Sequence, residues 1–533
     1  MAKKKRFSMP TAFSIIIILL VLLGCLTYVL PKGSYCYVLD GIEQPVCQIA
    51  VEGEEVIVGA TGNELLADYL TDGGAVDWDL IEEKAADKYL IDGSGVESAT
   101  LDTILMSPIL GFENAIDVAI FIMILGGLLA IVNKTGALET GIKVLVKKLK
   151  GRELLLIPIL MFIFSIGGTT YGMLEETVGF YILLAATMMA AGMDPLVGSA
   201  VVLLGAGSGV LGSTINPFAT GAAISSLPDY MQANQGVIVL IAVALWITTY
   251  AISVGFVLRY AKKVKADKGS TFLTLREQKA AEKKFGNYAN KDTDPELSGK
   301  QIVTLVLFAL TFVVMIIGFI PWGEFLSETA FNKLVSCTSW LTGYGFGEWW
   351  FYDAALWFLI MAIVIGIVNK MGEKTLVDTF VDGADDMIGV ILIIGLARGV
   401  SVLMGATYLD NFIIYNASDL LAKLPEFIFI PLNYILHIFL SILVPSSSGL
   451  ASLSTPIIAP LAHQLAYNTE VTVMTMVASN GLVNLITPTC GAIMGGLALA
   501  KVEYSTWVKW AAKVVGTIFL VNILILVVFS LIF

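Results

Sequence analysis

Charge is what this chain is poorest in. Asp, Glu, Lys and Arg make up 14% of its 533 residues, where a soluble globular protein carries about 25%. With 57% of the residues hydrophobic, a water-soluble domain is excluded and repeated membrane crossing is implied. The net charge of −12 and the confinement of Lys and Arg to short segments exclude a nucleic-acid surface. The lipid bilayer is the expected partner, together with a small-molecule substrate. Histidine is almost missing, with only His437 and His463. The five cysteines include Cys25, Cys337 and Cys490, whose spacing suggests no metal site, so no metal and no cofactor is expected. An intramembrane protease would need a nucleophile with a histidine, or paired aspartates, in a wet pocket. Ser448 and His437 are separated across a helix break, and neither Gly-x-Ser-Gly with a histidine on another span nor Gly-x-Gly-Asp occurs. No catalytic residue is assigned, and the chain is not read as an enzyme.

The few charges there are give direction. The chain opens with MAKKKRF and then runs apolar from Thr11 to Leu30, long enough to span at about 20 residues and without a small-x-small cleavage site. It reads as a retained first helix with its N-terminus in the cytoplasm. Between Pro31 and Glu113 lysines are outnumbered by acids, whereas the next loop reads KVLVKKLKGRE. Positive charge marks the cytoplasmic side, so 31–113 is expected to be an acidic loop outside. Cys36 and Cys47 both fall in it, and whether they bond is open from sequence.

Apolar runs at 11–30, 115–134, 197–225, 236–259, 302–320, 354–369, 388–404, 470–500 and 507–533 give nine spans. Two further blocks, 154–193 and 427–466, are interrupted by Gly, Ser, Thr or Pro and read as re-entrant hairpins. The C-terminus then lies outside, in a bacterial-type cytoplasmic membrane. The expected organisation is a first helix (1–30), the outer loop (31–113), a first repeat (114–260) and a cytoplasmic linker (261–300). A linking helix with an outer loop (301–353) and a second, inverted repeat (354–533) complete it. In each repeat a span leads to a hairpin and then to a broken span, at GSTINPFATGAA in the first and NLITPTCGAI in the second. The fold class is therefore an all-α polytopic membrane protein of the inverted-repeat transporter type. Gly/Pro-interrupted segments at corresponding places in two halves point to a transporter's binding site.

Irregular backbone survives at membrane depth only where protein or a water-filled cavity satisfies it. Expected helix breaks are Gly168, Pro217, Pro445, Gly449 and Pro488. The first tip offers Thr169, Thr170, Tyr171, Glu175 and Glu176, and the first broken helix Ser213, Thr214 and Asn216. Ser446, Ser447 and Ser448 form the uncharged second tip, with Asn484 and Thr487 at the second break. An ionisable group at bilayer depth costs about 3 kcal/mol or more unless it meets protein, water or a ligand, so the adjacent glutamates are candidates for substrate or ion coupling, by Na⁺ or H⁺. Arg398 lies inside its apolar run and is a candidate for charge pairing. His437 is expected to be packed, Asp194 to be a solvated end, and GAGSGVLG (205–212) to serve close helix packing.

GGTTYGMLEETVGFY, LGSTINPFATG, GLARGVSV, PSSSGLASLSTPIIAPLA and NLITPTCGAIMGGLALA, with MPTAFSIIIILL near the start, together resemble the YfcC-type family of the ion transporter superfamily. That family is grouped with basic amino-acid antiporters and C4-dicarboxylate anaerobic carriers. The resemblance implies a secondary transporter and homodimer in which a frame holds a moving core of hairpins and broken helices. It leaves the substrate open; the paired glutamates, with Arg398 alone as fixed positive charge, favour exchange of basic amino acids, arginine against ornithine, with ion-coupled carriage of small dicarboxylates as the alternative.

Overall fold

The computed structural model describes residues 12–39, 46–51, 54–58, 77–91, 93–148, 151–228, 230–286, 296–320, 322–324 and 326–533. The basic start MAKKKRF, parts of the acidic loop and the centre of the linker lie outside the described residues. Helix α1 is Ala12–Leu26 and α2 is Trp78–Lys84. Next come α3 (Leu101–Glu113), α4 (Ile116–Lys134), α5 (Ala137–Lys148), α6 (Leu156–Tyr171), α7 (Val178–Ala190), α8 (Pro195–Gly212), α9 (Ala222–Ser225) and α10 (Gln235–Ala266). The middle holds α11 (Leu275–Phe285), α12 (Gly299–Phe319) and α13 (Glu328–Thr338). The second half is α14 (Phe351–Val368), α15 (Glu373–Asp385), α16 (Ile388–Ala406), α17 (Leu409–Leu421), α18 (Glu426–Leu443), α19 (Ser447–Gln464), α20 (Thr469–Val483), α21 (Gly491–Leu499) and α22 (Tyr504–Ile532). Element by element, α3–α10 match α15–α22: a short helix, a 19-residue helix, another short helix, a hairpin, a broken helix and a long closing helix.

Among the described residues nine helices are long and apolar enough to cross a membrane, counting the arms α6 and α18. The apolar run 470–500 is instead two helices, of 15 and 9 residues, and the described part of α1 runs for 15 residues. The chain is an all-α polytopic membrane protein. Its described strands form one small antiparallel sheet, ordered β3-β2-β1-β4 from Glu54–Val58, Val46–Val51, Tyr35–Val38 and Asp87–Leu90. In it Cys36 is disulfide-bonded, and the residue opposite it in the ladder is Cys47.

Three expectations need correction. The stretch expected as loop to residue 113 turns helical at Leu101, because its last 13 residues are largely apolar and pack on α16. A Cβ on Gly111 would lie 2.3 Å from the Gly399 nitrogen, so the two backbones touch there. Gly168 does not break its helix. The helix α6 continues to Tyr171 and stops at Gly172, whose φ of 77° suits a residue without Cβ. There Gly172 N–H donates to Gly168 O, the single bond of a left-handed helix end, and Met173 N–H reaches back to Gly167 O. Gly168 serves packing instead, since its Cβ would sit 2.1 Å from Ala206 O on α8. Gly449 likewise lies within the first turn of α19, where its N–H donates to the Ser446 cap at 3.2 Å. Pro217, Pro445 and Pro488 do lie at breaks.

Two groups of helices emerge from the packing. Hairpin arms α6 and α7 both lie on α8, α18 and α19 both lie on α20, and α10 and α22 close this core. Helix α8 is buried along its whole length, and Gly205 and Gly209 let α6 approach it at Met161 and Ser165, the small-residue packing expected of GAGSGVLG. The broken helices cross where Gly207 meets Leu485 and Gly481 meets Leu211. A second group, α1, α3, α4, α12, α14, α15 and α16, forms a frame beside this core.

The linker is better anchored than its charge suggests. Buried Glu277 of α11 accepts from Glu503 N–H at 2.8 Å and from the Thr506 hydroxyl at 3.1 Å, tying α11 to the start of α22. Asp194, expected as a solvated end, is 7% exposed. It caps α8 through Val197 N–H at 3.0 Å and accepts from the Tyr260 and Thr271 hydroxyls at 2.6 and 2.7 Å. Burial pushes its pKa above the ordinary carboxylate value.

Candidate functional site

The two tips and the second break converge on one cavity of about 120 Å³. Glu175 and Glu176 enter it from the first tip, Pro445 and Ser446–Ser448 from the second, Asn484, Thr489, Cys490 and Gly491 from the second break, and Arg398 from α16. The first break contributes Phe218, and the frame contributes Val118, Trp350 and Phe351.

The adjacent glutamates play different parts. Glu176 is 5% exposed and accepts from Leu174 N–H at 2.9 Å, so it shapes the turn that starts the return arm. Glu175 is half-buried and has no hydrogen-bond or ion-pair partner among the described residues. Arg398 is also half-buried and equally without a partner among them. One cavity thus holds a free carboxylate and a free guanidinium that do not neutralise each other.

The remaining expected residues divide between lining and scaffolding. Ser446 caps α19, and Ser448 lies beside it with hydroxyl oxygens 3.4 Å apart. Ser447 donates to Asn480 Oδ1 at 2.6 Å, and Asn484 Nδ2 donates to the same oxygen at 3.0 Å. The N-termini of α19 and α21 therefore both open on the cavity, and such ends favour negative charge. Thr169, Thr170, Tyr171, Ser213, Thr214, Asn216 and Thr487 are not in its lining. Thr169 joins the first tip to the first break: its hydroxyl accepts from Thr214 N–H at 3.1 Å, and its carbonyl from the Thr214 hydroxyl at 3.1 Å. Asn216 donates to Ser213 Oγ at 2.9 Å and accepts from Phe218 N–H at 2.9 Å. Thr170 donates back to Ile166 O at 2.7 Å, Tyr171 packs on Phe319 with ring centroids 5.8 Å apart, and Thr487 pairs with Thr489 at 2.7 Å. Thr169, Thr214 and Asn216 thus satisfy backbone and side-chain groups where the first tip meets the first break. At the second break Tyr504 and Trp507 do the same work, donating to Ile486 O and Leu485 O at 2.7 and 3.0 Å. His437 is buried, its Nδ1 2.9 Å from Asn433 O, as a packed histidine should be.

Sequence reasoning missed the aromatic wall. Trp350 and Phe218 meet edge to face with centroids 4.8 Å apart, and Trp350 and Phe351 at 5.6 Å. The indole N–H of Trp350 donates to Asp117 Oδ2 at 2.6 Å, which fixes the ring. The available signal was the aromatic run EWWFY (348–352) placed immediately before a span.

A family profile described as "C4-dicarboxylate anaerobic carrier" matches residues 9–531. A Haemophilus influenzae protein described as uncharacterized is 30% identical over 535 residues, covering 99% of this chain and 98% of its own. Escherichia coli YfcC, described as a putative basic amino acid antiporter, is 27% identical over 432 residues, 78% of each chain. Among solved structures, the Alcanivorax borkumensis YdaH transporter aligns over 97% of this chain and 98% of its own, at 14% identity and TM-score 0.40. Neisseria gonorrhoeae MtrF, described as illuminating a class of antimetabolite efflux pumps, aligns over 98% and 96% at 17% identity and TM-score 0.42.

Proposed function

We propose, from the premise that this chain belongs to the C4-dicarboxylate anaerobic carrier family, that it is a membrane transporter exchanging basic amino acids by alternating access. The observation that carries this reading is the pair of free opposite charges, Glu175 and Arg398, in one cavity. A basic amino acid complements both: its carboxylate faces Arg398 and the N-termini of α19 and α21, while its side-chain cation faces Glu175. Each half of the ligand offsets a charge whose burial costs free energy when unpaired. An empty cavity leaves both charges uncompensated, which disfavours its reorientation without cargo and favours exchange, with arginine and ornithine as the pair. The core of hairpins and broken helices moves against the frame, within a homodimer in a bacterial-type cytoplasmic membrane. The N-terminus then lies in the cytoplasm and the C-terminus outside.

A second reading has its own support. Arg398 and two helix N-termini on one cavity also suit a C4-dicarboxylate, the cargo in the family's description. Glu175 would then hold a coupling Na⁺ or H⁺.

Proteoliposomes separate the two. Labelled arginine uptake that requires internal ornithine, is indifferent to Na⁺ and falls in Glu175→Gln and Arg398→Ala supports exchange. Succinate uptake driven by a Na⁺ or H⁺ gradient, with no arginine uptake, overturns it in favour of the second reading.

A further inference from the structure

We infer that Trp350, backed by Phe218 and Phe351, is the specificity-determining surface of the cavity and selects an organic cation. The inference rests on the basic amino-acid reading and deepens it, because it identifies which residues sense the cationic end.

Three observations support it. All three rings line the same cavity as the free Glu175. The indole of Trp350 is held by Asp117, and its backbone N–H donates to Asp353 Oδ2 at 2.8 Å, so the ring is fixed before any ligand arrives. Trp350 also keeps 41% of its surface exposed, although two aromatic neighbours pack on it.

An aromatic face carries a negative quadrupole, so a guanidinium or ammonium is attracted to it, most strongly over tryptophan. A carboxylate gains nothing there. The two carboxylates behind the wall add to the same preference, since their charge favours a cation in front of the ring. Arg398 is the one basic side chain in the lining. The lining therefore combines an anion-binding group, Arg398, with a cation-binding set formed by Glu175 and the aromatic wall. Because Phe218 belongs to the core and Trp350 to the frame, the cationic end of the ligand is recognised where the two groups of helices meet.

The test compares arginine with citrulline, which has the same length and a neutral end, in exchange assays on reconstituted full-length protein. Succinate serves as a cation-free control. Trp350→Leu is expected to raise KM for arginine about 3- to 30-fold, the range of a cation–π contact at partly exposed to desolvated sites. It should leave citrulline within about twofold on the same argument. Trp350→Phe should restore most of the difference. Phe218→Leu, which leaves the Asp117 and Asp353 contacts intact, should move selectivity in the same direction even if Trp350→Leu folds poorly. An equal loss for arginine and citrulline, or a Trp350→Phe as impaired as Trp350→Leu, would overturn the inference and leave the exchange reading standing. Wild-type protein that carries succinate but neither amino acid would overturn both.

Discussion

Glu175 and Glu176 are neighbours in the sequence and opposites in the fold. Both line the cavity, but Glu176 accepts from Leu174 N–H, whereas Glu175 has no hydrogen-bond or ion-pair partner among the described residues. Glu176→Gln keeps an acceptor for Leu174 and should leave the melting temperature nearly unchanged. Glu175→Gln removes the charge opposite the substrate cation. Its cost should approach that of a hydrogen bond to a charged group, about 1.5–3 kcal/mol, read as a KM for arginine about 10- to 100-fold higher. Uptake kinetics of the two variants side by side check this, and equal defects would contradict it. Asp194 gives the pH dependence at this scale. Its pKa is raised by burial, so the folded protein holds that proton more tightly than the unfolded chain. Its contribution is present at low pH and lost as pH rises through the raised value. Asp194→Asn cannot titrate, so its melting temperature relative to wild type should climb over the range of pH from the ordinary carboxylate value upward. A constant difference across that range would show the group is not titrating as described. That two glutamates needed explaining was legible from their setting in apolar sequence. Which one is left without a partner was not, because a tight turn after Gly172 sets it.

Elements meet here through glycine, and the space each one occupies differs sharply. A Cβ on Gly209 would lie 2.0 Å from Ser165 O and 2.6 Å from Thr169 N, both backbone atoms of the first hairpin. Gly255 on α10 has nothing within 4 Å. Gly209→Ala is therefore expected to push α6 off α8 and abolish uptake, with a large fall in melting temperature. Gly255→Ala should be neutral or stabilise by up to about 1 kcal/mol through helix propensity. Fluorescence-detected gel filtration after heating reads both, and a stable Gly209→Ala would contradict the packing described. The sequence showed that helices break near the tips because Pro and Gly interrupt apolar runs. It misplaced two breaks, at Gly168 and Gly449, because glycine serves close approach in a membrane as readily as it ends a helix. The apolar pattern likewise could not separate α3 from the preceding loop, since the helix is only 13 residues long.

At the scale of the molecule, the cavity lies where core and frame meet, and the proposed transport requires one to slide on the other. Gly495 of α21 rests against Val390 of α16, where its Cβ would be 2.2 Å from Cγ1. Phe312 and Phe358 meet edge to face within the frame with centroids 5.1 Å apart. In a background lacking Cys25, Cys337 and Cys490, a short thiol cross-linker across Gly495→Cys and Val390→Cys should stop uptake, with recovery on reduction. The same treatment of Phe312→Cys with Phe358→Cys should leave more than half of it, an intra-frame link being indifferent to motion between groups. Uptake that survives the first cross-link would rule out sliding at that contact.

Composition, charge placement and interrupted apolar runs determined by themselves that this protein spans a membrane and places breaks at matching points of two halves. Those properties are local: apolar length, proline geometry and the cost of a charge in lipid act on each segment alone. Only the tertiary structure decided which polar groups face the cavity. It turned Thr169, Ser213, Thr214 and Asn216 to bonds within the first break and brought Arg398, Glu175 and Trp350 to one cavity from positions up to 223 residues apart in the chain (398 − 175). Their shared cavity depends on how the two halves cross, at Gly207 with Leu485 and Gly481 with Leu211. No segment holds that crossing until its partner is in place.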